Sequence, residues 1–398
     1  MIMGNKIVVS GIGCCLVDRL YNNISFSSEA FAKYASKKRG DGGLSPGHLV
    51  LKEDFEAFSK QDFHRVLEEL TGGRTADTVN IGGPCIVALI HAAQMQMNDD
   101  CSIHFYGCYG DDSNGRFLTT SLAKTPVELD TYQCMGDLTP STDVFSDPQF
   151  NQGHGERTFV NSIGSAWEYT PDMLDKDFFS SDIVVFGGTA LVPRIHENLT
   201  ELLQRSKLEG CMTIVNTVFD FVNEKENPHK RWPLGKSDES YKYIDLLITD
   251  FDEALRLSGT NNLEEAMLFF IEKETGAVII TNGSEDIWMY SGNPLFGHVP
   301  VTLIPVSQAV SQDIKSGRFE GDTTGCGDNF VGGVITSLVW QLQQDKDDID
   351  LKEACIMGIV SGGFACLYLG GTYFEKYKGE KYAHILPYLE KYREQINE

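Results

Sequence analysis

A short glycine-rich segment carries the residue types that could do phosphate chemistry. Residues 322–329 read Asp-Thr-Thr-Gly-Cys-Gly-Asp-Asn, after a strand-like stretch and just before a long apolar run that indicates a helix. Glycines let successive backbone N–H groups point at one anion, and the dipole of the helix favours negative charge there. Asp328 adds a carboxylate that could take a proton from a hydroxyl attacking phosphorus. The alternative is a plain first-turn carboxylate that favours the helix dipole.

Three other carboxylates, one alone and two as a pair, follow the ends of predicted strands. Asp18 follows the glycine-containing end of the first strand, and its two oxygens could accept hydrogen bonds from neighbouring hydroxyls of a sugar. Asp250 and Glu253 follow a strand at 246–249, one helical turn apart, which suits a hydrated Mg²⁺. The alternatives are a turn-capping Asp18 and, for the second pair, an N-cap with a first-turn acid.

Composition excludes several classes of function. The chain has 398 residues, 41% hydrophobic and 23% charged, which is typical of a soluble globular protein. The sequence contains no run of 18 or more apolar residues, so no membrane-spanning helix is expected. A formal net charge of 33 − 57 = −24 disfavours nucleic-acid binding. The N-terminus lacks the features of a signal peptide. The ten cysteines are scattered, which is typical of reduced thiols, and we therefore expect a cytoplasmic protein.

The order of predicted elements indicates an α/β fold. Strands and helices alternate regularly from residue 182 onward, which favours a mainly parallel sheet whose ligands bind beyond the carboxyl ends of the strands. Residues 21–75, which include one predicted amphipathic helix over 54–70, do not show this alternation of strands and helices. They are the best candidate for a small added subdomain.

The glycine-rich segment resembles the signature of the ribokinase-like (PfkB) carbohydrate kinases, Asp-Thr-x-Gly-Ala-Gly-Asp, with Cys326 where the family usually has Ala. Gly11 to Asp18 is similar to the Gly-x-Gly-x-x-x-x-Asp of the adenosine kinase branch. Gly82-Gly83 resembles the family's Gly-Gly pair, and its separation of 28 positions from Gly110 is typical of the family.

The chain also departs from the family pattern. The family's Asn after the Gly-Gly pair would fall on Val87, and Asp250 replaces the Asn of Asn-x-x-Glu. An earlier pair, Gly72-Gly73, is an alternative match that lies ten residues too far from Gly110.

The resemblance implies a fold and an assembly. We expect a single ribokinase-like domain over residues 1–398, with three layers, a mainly parallel central sheet and a small β lid. The lid is expected from parts of 21–80 and 127–163. Because an exposed lid sheet pairs with a second copy in such proteins, a homodimer is expected.

The resemblance also implies roles for particular residues. The implied catalytic set is a base, Asp328, and the backbone N–H groups of Gly325, Cys326 and Gly327. The implied ligand contacts are Asp18, Gly82, Gly83 and Arg157 for the acceptor, Thr281, Gly283, Ser284 and Gly362 for the nucleotide, and Glu253 and Asp250 for Mg²⁺. A monovalent cation (K⁺) near Asp322 is a trait of the family. Taken alone, the segment Gly155-Glu156-Arg157 could equally be a surface hairpin.

These features predict an ATP-dependent phosphotransferase that acts on a primary hydroxyl of a small sugar. One alternative is a nucleoside (adenosine-like) kinase, which the first-strand motif suggests. The other is a non-catalytic sugar or nucleotide sensor on the same fold.

Overall fold

A computed structural model describes residues 6–153, 155–344 and 349–397. Its strands, in chain order, are β1 Ile7–Gly13, β2 Leu16–Tyr21, β3 Leu49–Leu51, β4 Thr78–Gly82, β5 Cys101–Tyr109, β6 Tyr132–Cys134, β7 Ser141–Asp147, β8 Glu156–Ser162, β9 Ile183–Gly187, β10 Met212–Asn216, β11 Leu246–Asp250, β12 Ala277–Thr281, β13 Ile287–Ser291 and β14 Val299–Ile304.

The α-helices alternate with these strands over most of the chain. In chain order they are α1 Glu29–Tyr34, α2 Lys52–Ser59, α3 Phe63–Thr71, α4 Pro84–Gln94, α5 Ser113–Leu122, α6 Phe150–Gly153, α7 Pro193–Glu197, α8 Leu199–Leu208, α9 Phe221–Glu226, α10 Phe251–Ser258, α11 Leu263–Glu272, α12 Gln308–Lys315, α13 Cys326–Leu342, α14 Leu351–Ala365 and α15 Glu380–Asn397.

A nine-stranded sheet forms the centre of the molecule, in the order β14-β13-β12-β11-β10-β9-β1-β5-β6. All neighbours from β12 to β6 are parallel, and β13 and β14 form an antiparallel edge. One face packs on α4, α13, α14 and α15, and the other on α8, α10 and α11, so apolar cores lie on both sides. The predicted α/β class with a mainly parallel sheet in three layers is confirmed.

A second, five-stranded sheet lies over the carboxyl ends of the central strands, in the order β3-β8-β7-β2-β4. We call it the small sheet. Its strands at 49–51, 141–147 and 156–162 lie within the ranges expected for a lid. The strand at 78–82 extends two residues beyond those ranges, and the strand at 16–21 lies almost wholly before them. Since β1 runs almost directly into β2, the chain passes from the central sheet to the small sheet beside Cys14 and Cys15.

The far face of the small sheet is covered by the chain's own helices. Residues from α2 and α3, such as Phe55 and Val66, form a separate core with Tyr21, Phe145 and Val160 of the sheet. The expectation of a dimer depended on an exposed sheet, and this face is not exposed. The homodimer therefore stays a prediction without that support.

Two local predictions were wrong. The single helix over 54–70 is two helices, because Lys60 takes a left-handed conformation (φ 55°) that ends α2, and Asp62 caps α3 by accepting a hydrogen bond from the N–H of His64. The glycine-rich motif does not follow a strand. Helix α12 and a loop precede it, and Val310 of α12 packs against Gly363 of α14.

Candidate active site

The glycine-rich motif forms a tight turn at the N-terminus of α13. Gly325 caps the helix with a left-handed backbone (φ 72°), and a Cβ there would lie 2.4 Å from the Cα of Gly371. Both features require glycine. A Cβ at Gly327 would meet nothing within 4 Å, so this residue faces open space. The N–H of Cys326 donates to the Thr323 carbonyl at 3.3 Å, whereas among the described residues those of Gly325 and Gly327 have no such partner.

A buried polar cluster holds this turn from behind. The Asn329 amide nitrogen donates to the carbonyl oxygens of Gly325 and Gly371, both at 2.8 Å. Its oxygen lies 3.0 Å from the His91 ring, 2.9 Å from Lys381 Nζ and 3.2 Å from the Tyr368 hydroxyl. Burial lowers the pKa of Lys381 to about 7. Asn329 therefore ties two glycine loops together from the interior.

Asp328 lies in the first turn of α13, beside the open face of the motif. Burial raises the pKa of its carboxyl to about 6, and the charge of Arg157 opposes that rise. A carboxylate with this pKa is ionised at neutral pH and still basic enough to accept a proton from a hydroxyl. The position and the pKa therefore suit a general base.

Asp18 faces the same space from β2 of the small sheet. Burial raises the pKa of Asp18 to about 8, and the charges of Asp328 and Asp322 contribute to that rise. A Cβ at Gly82 would lie 2.0 Å from Asp18 Oδ2, and one at Gly83, where φ is 113°, would lie 2.1 Å from the Cys14 carbonyl oxygen. The two glycines predicted to contact the acceptor thus adjoin Asp18.

The alternative glycine pair lies elsewhere. Gly72 and Gly73 end helix α3 in left-handed conformations, with open space around both. Val87, at the position of the family's Asn, is buried in α4, and its methyl groups lie 3.4 and 3.6 Å from where a Gly371 Cβ would be. It packs behind the motif and offers no hydrogen bond to a ligand.

A row of polar side chains crosses the small sheet at Asp18. Strand register places Asn80, Asp18, Thr142 and Asn161 side by side on β4, β2, β7 and β8, so all four share one face. Asn161 Nδ2 donates to the Thr142 hydroxyl at 2.7 Å, and Asn161 Oδ1 is buried without a partner among the described residues. Asn80 is committed to the carbonyl oxygens of residues 369 and 372. The sequence analysis missed this row, and only strand register reveals it.

Arg157 brings a positive charge to these acids from β8. Its charge lowers the pKa values of Asp18, Asp322 and Asp328, so it acts on all three acids. Its Nε is buried without a hydrogen-bond partner in the described residues. Among those residues, no carboxylate forms an ion pair with it. The group is therefore available to an anionic ligand.

A cleft of about 140 Å³ lies between the carboxyl ends of β10, β11 and β12 and the N-terminus of α13. Asp250, Glu253, Thr281, Gly327 and Asp328 all line it. Asp250 also caps α10 by accepting the N–H of Glu253 at 2.8 Å, so the capping interpretation holds as well.

Glu253 is the more deeply buried of the two predicted metal ligands. It accepts a hydrogen bond from the Thr217 hydroxyl, a contact that the sequence analysis missed. Burial and the neighbouring Asp250 raise the pKa of Glu253 well above its usual range. Such a carboxylate gains from a nearby cation, and hydrated Mg²⁺ fits. In the described part of the chain, no three His, Cys, Asp or Glu side chains are grouped to hold a metal, so further ligands would come from water and phosphate.

The predicted nucleotide contacts are only partly brought together. Thr281 lines the cleft, whereas Gly283 and Ser284 lie on the exposed turn that follows β12. Gly362 is buried against α13, where a Cβ would lie 2.8 Å from the Cys326 carbonyl oxygen. Close packing of two helices therefore accounts for this glycine.

The described helices include none long and apolar enough to cross a membrane.

Comparison with known proteins places the chain among the phosphotransferases. Residues 76–376 match the model of the pfkB family carbohydrate kinases, and the chain belongs to that family.

Individual relatives support this assignment. The aminoimidazole riboside kinase of Salmonella typhimurium is 26% identical over 244 residues, covering 59% of this chain and 67% of that protein. A solved adenosine kinase from Schistosoma mansoni, bound to 2-fluoroadenosine, superimposes with a TM-score of 0.69 at 15% identity, covering 92% of this chain and 97% of its own. A ribokinase from Thermotoga maritima has a TM-score of 0.60 at 17% identity, covering 96% and 99%. The two solved structures confirm the ribokinase-like fold.

Proposed function

We propose that this chain is an ATP-dependent kinase that phosphorylates a primary hydroxyl of a small sugar, with Asp328 as the general base. The observation that carries the proposal is the approach of Asp18 and Asp328 to one space, Asp18 from strand β2 of the small sheet and Asp328 from the first turn of helix α13. The charge of Asp328 contributes to the raised pKa of Asp18, so the two carboxylates lie close enough to act on one molecule.

The small sheet supplies the grip on the acceptor in this proposal. Asp18 forms hydrogen bonds with two neighbouring hydroxyls, accepting from both when it is ionised and donating to one of them while it carries its proton. The unpartnered Asn161 oxygen, on the same face, accepts another from a third hydroxyl, because a buried acceptor without a donor is costly. An acceptor with several hydroxyl groups fits this row better than an apolar one. Gly82 and Gly83 let it approach the backbone.

The N-terminus of α13 supplies the chemistry. Asp328 takes the proton of the acceptor hydroxyl as its oxygen attacks the γ-phosphorus of ATP. The N–H groups of Gly325 and Gly327 and the charge of Arg157 stabilise the transferring phosphoryl group. Bound Mg²⁺, held at Glu253 and Asp250, would neutralise phosphate charge. Asp322 Oδ2 is buried and has no hydrogen-bond partner in the part of the chain that the structure describes, which is compatible with K⁺; the cation stays a prediction.

One observation favours a nucleoside as the second candidate acceptor. The rings of His48 and Phe219 stack with centroids 5.0 Å apart and line a cavity of about 400 Å³ between the small sheet and helices α9 and α10. The outer face of such a pair offers a flat base a stacking surface, although no described residue that lines this cavity also lines the cleft at Asp328. Two similar proteins are named for ribosides, the aminoimidazole riboside kinase and the adenosine kinase.

The test is ADP release from MgATP with a panel of sugars, sugar acids, phosphosugars and nucleosides. Asp328→Ala is expected to lower turnover by about 10²-fold or more. The matched control is Asp111→Ala, since Asp111 is an exposed carboxylate outside the site. Turnover on sugars that depends on Asp328 supports the proposal.

Other results would change the assignment. Turnover only on nucleosides would favour the second candidate, and Phe219→Ala should then raise the KM for the nucleoside. Asp328-independent turnover would exclude the assigned base. ATP binding without turnover of any acceptor would favour a sensor.

A further inference from the structure

Two cysteine sulfurs meet behind the phosphate-binding turn. Cys326 Sγ and Cys366 Sγ lie 3.0 Å apart, and both residues are partly exposed. Cys326 is the first residue of α13, and Cys366 directly follows α14. Among the described cysteines, no other pair is joined by a sulfur–sulfur contact. The two cysteines are 40 positions apart in the sequence, and no local pattern indicates their pairing.

Helix packing fixes the two backbone segments beside each other. Gly362 lets α14 approach α13, because a Cβ there would lie 2.8 Å from the Cys326 carbonyl oxygen. A Cβ at Gly321 would lie 2.1 Å from the Cys366 carbonyl oxygen, so the end of α14 is also enclosed by the loop before the motif. Tight packing therefore holds the backbone at Cys326 beside the backbone at Cys366.

We propose that Cys326 and Cys366 form a thiol oxidation site whose co-reactant is a small-molecule disulfide. The Cys366 thiol, whose pKa is lowered by the hydrogen bond with Cys326, attacks the disulfide as its thiolate, forms a mixed disulfide and releases one thiol. The second cysteine then attacks the protein-bound sulfur and releases the other thiol. The net change is two protein thiols and one small disulfide converted to one protein disulfide and two small thiols.

Oxidation at this position should disturb phosphate binding. A disulfide bond is about 2.05 Å long, so the sulfurs must move about 1 Å closer together. Cys326 is the neighbour of both Gly325 and Gly327, whose N–H groups hold the phosphoryl group in the proposed function. A displacement of about 1 Å in a catalytic site can lower the rate by about 10²-fold. The expected loss of activity thus rests on the proposed function, whereas formation of the Cys326–Cys366 disulfide does not.

To test this, the full chain is treated with oxidised glutathione, and the disulfides of the unreduced protein are then mapped by mass spectrometry. A Cys326–Cys366 link is expected, together with a loss of kcat/KM of tenfold or more that dithiothreitol restores. Cys366→Ser should keep its activity under the same treatment. Cys134→Ser, which removes an exposed thiol, is the matched control and should lose activity like the unaltered chain.

Three results would overturn the inference: no Cys326–Cys366 link, a link without loss of activity, or an equal loss in Cys366→Ser. The mapping needs no substrate, so a missing link is distinguishable from a wrong acceptor assignment. If Cys366→Ser does not fold, Cys366→Ala and the mapping of the unaltered chain decide the question.

Discussion

Asp328 and Asp18 face one space but belong to two differently built regions. Asp328 lies on a helix of the main body, held from behind by Asn329 and its buried partners. Asp18 lies on a strand of the small sheet. Burial raises both pKa values, to about 6 for Asp328 and about 8 for Asp18.

The difference between the two values has a physical cause. Burial acts on both groups, but the charges of Asp328 and Asp322 raise the pKa of Asp18 further. At neutral pH Asp328 is therefore ionised while Asp18 of the free protein carries its proton. Two acids in one pocket can thus take different roles, one as a base and one as a hydrogen-bonding group.

The largest expected effect is on turnover. Asp328→Asn removes the group that accepts the proton and keeps its shape, so kcat should fall by about 10² to 10⁴-fold with little change in the KM for the acceptor. Steady-state kinetics on the acceptor identified by the panel measures both. A change confined to KM would show that Asp328 binds the acceptor and does not act as the base.

A smaller effect, on KM, is expected for Asp18→Asn. At pH 9, where Asp18 is ionised, the variant should raise the KM for the acceptor by about 10- to 100-fold, because hydrogen bonds to a charged group contribute about 1.5–3 kcal/mol. Near pH 7 the difference should shrink, since Asp18 already carries a proton. An equal effect at both pH values would contradict the raised pKa of Asp18.

The pH profile separates the two acids more finely. For the unaltered chain, kcat/KM should rise with pH as Asp328 ionises, with an inflection near pH 6, because the pKa of Asp328 is about 6. Asp18→Asn should leave that inflection in place, since Asp18 is protonated in this range. Arg157→Met should move it to higher pH, because Arg157 lowers the pKa of Asp328. If the inflection moved in Asp18→Asn, the result would assign the role of base to Asp18 and that of hydrogen-bonding group to Asp328.

The smallest effect is on the stability of the free protein. The pKa of Asp18 rises from 3.8 to about 8 on folding, so its protonated form is favoured in the folded state. This contribution is complete below pH 3.8 and is lost as pH rises through 8. At pH 9, Asp18→Asn should therefore be more stable by about 1 kcal/mol, with allowance for partial solvent screening.

Thermal unfolding of both proteins at pH 5 and pH 9 measures this difference. The gain should be much larger at pH 9 than at pH 5, because Asp18 is protonated at pH 5 and then resembles Asn. A variant that is equally stable or less stable at pH 9 would show that Asp18 has a favourable partner when ionised.

The sequence predicted the parts of the fold and site that local patterns encode. The glycine-rich motif indicated the start of α13 within a residue, and alternating strands and helices gave the α/β class. The spacing from Gly110 favoured Gly82-Gly83 over Gly72-Gly73, and the structure places the first pair beside Asp18 and the second at a helix end.

The remainder depends on contacts between distant segments. Asn329, His91 and Lys381 come from α13, α4 and α15, and no local pattern shows that they meet. The row through Thr142 and Asn161 follows from strand register, which side-chain alternation in short strands does not determine. Gly362 was assigned to the nucleotide through the resemblance to the family, and only the structure shows that α13 packs against it.

The helices over the far face of the small sheet have a consequence for how the enzyme works in dilute solution. Phe55 and Val66 bury apolar sheet surface that a second copy would otherwise have to cover. The small sheet therefore needs no neighbour for its own stability. If a single chain is sufficient for the proposed activity, specific activity should not change as the protein is diluted.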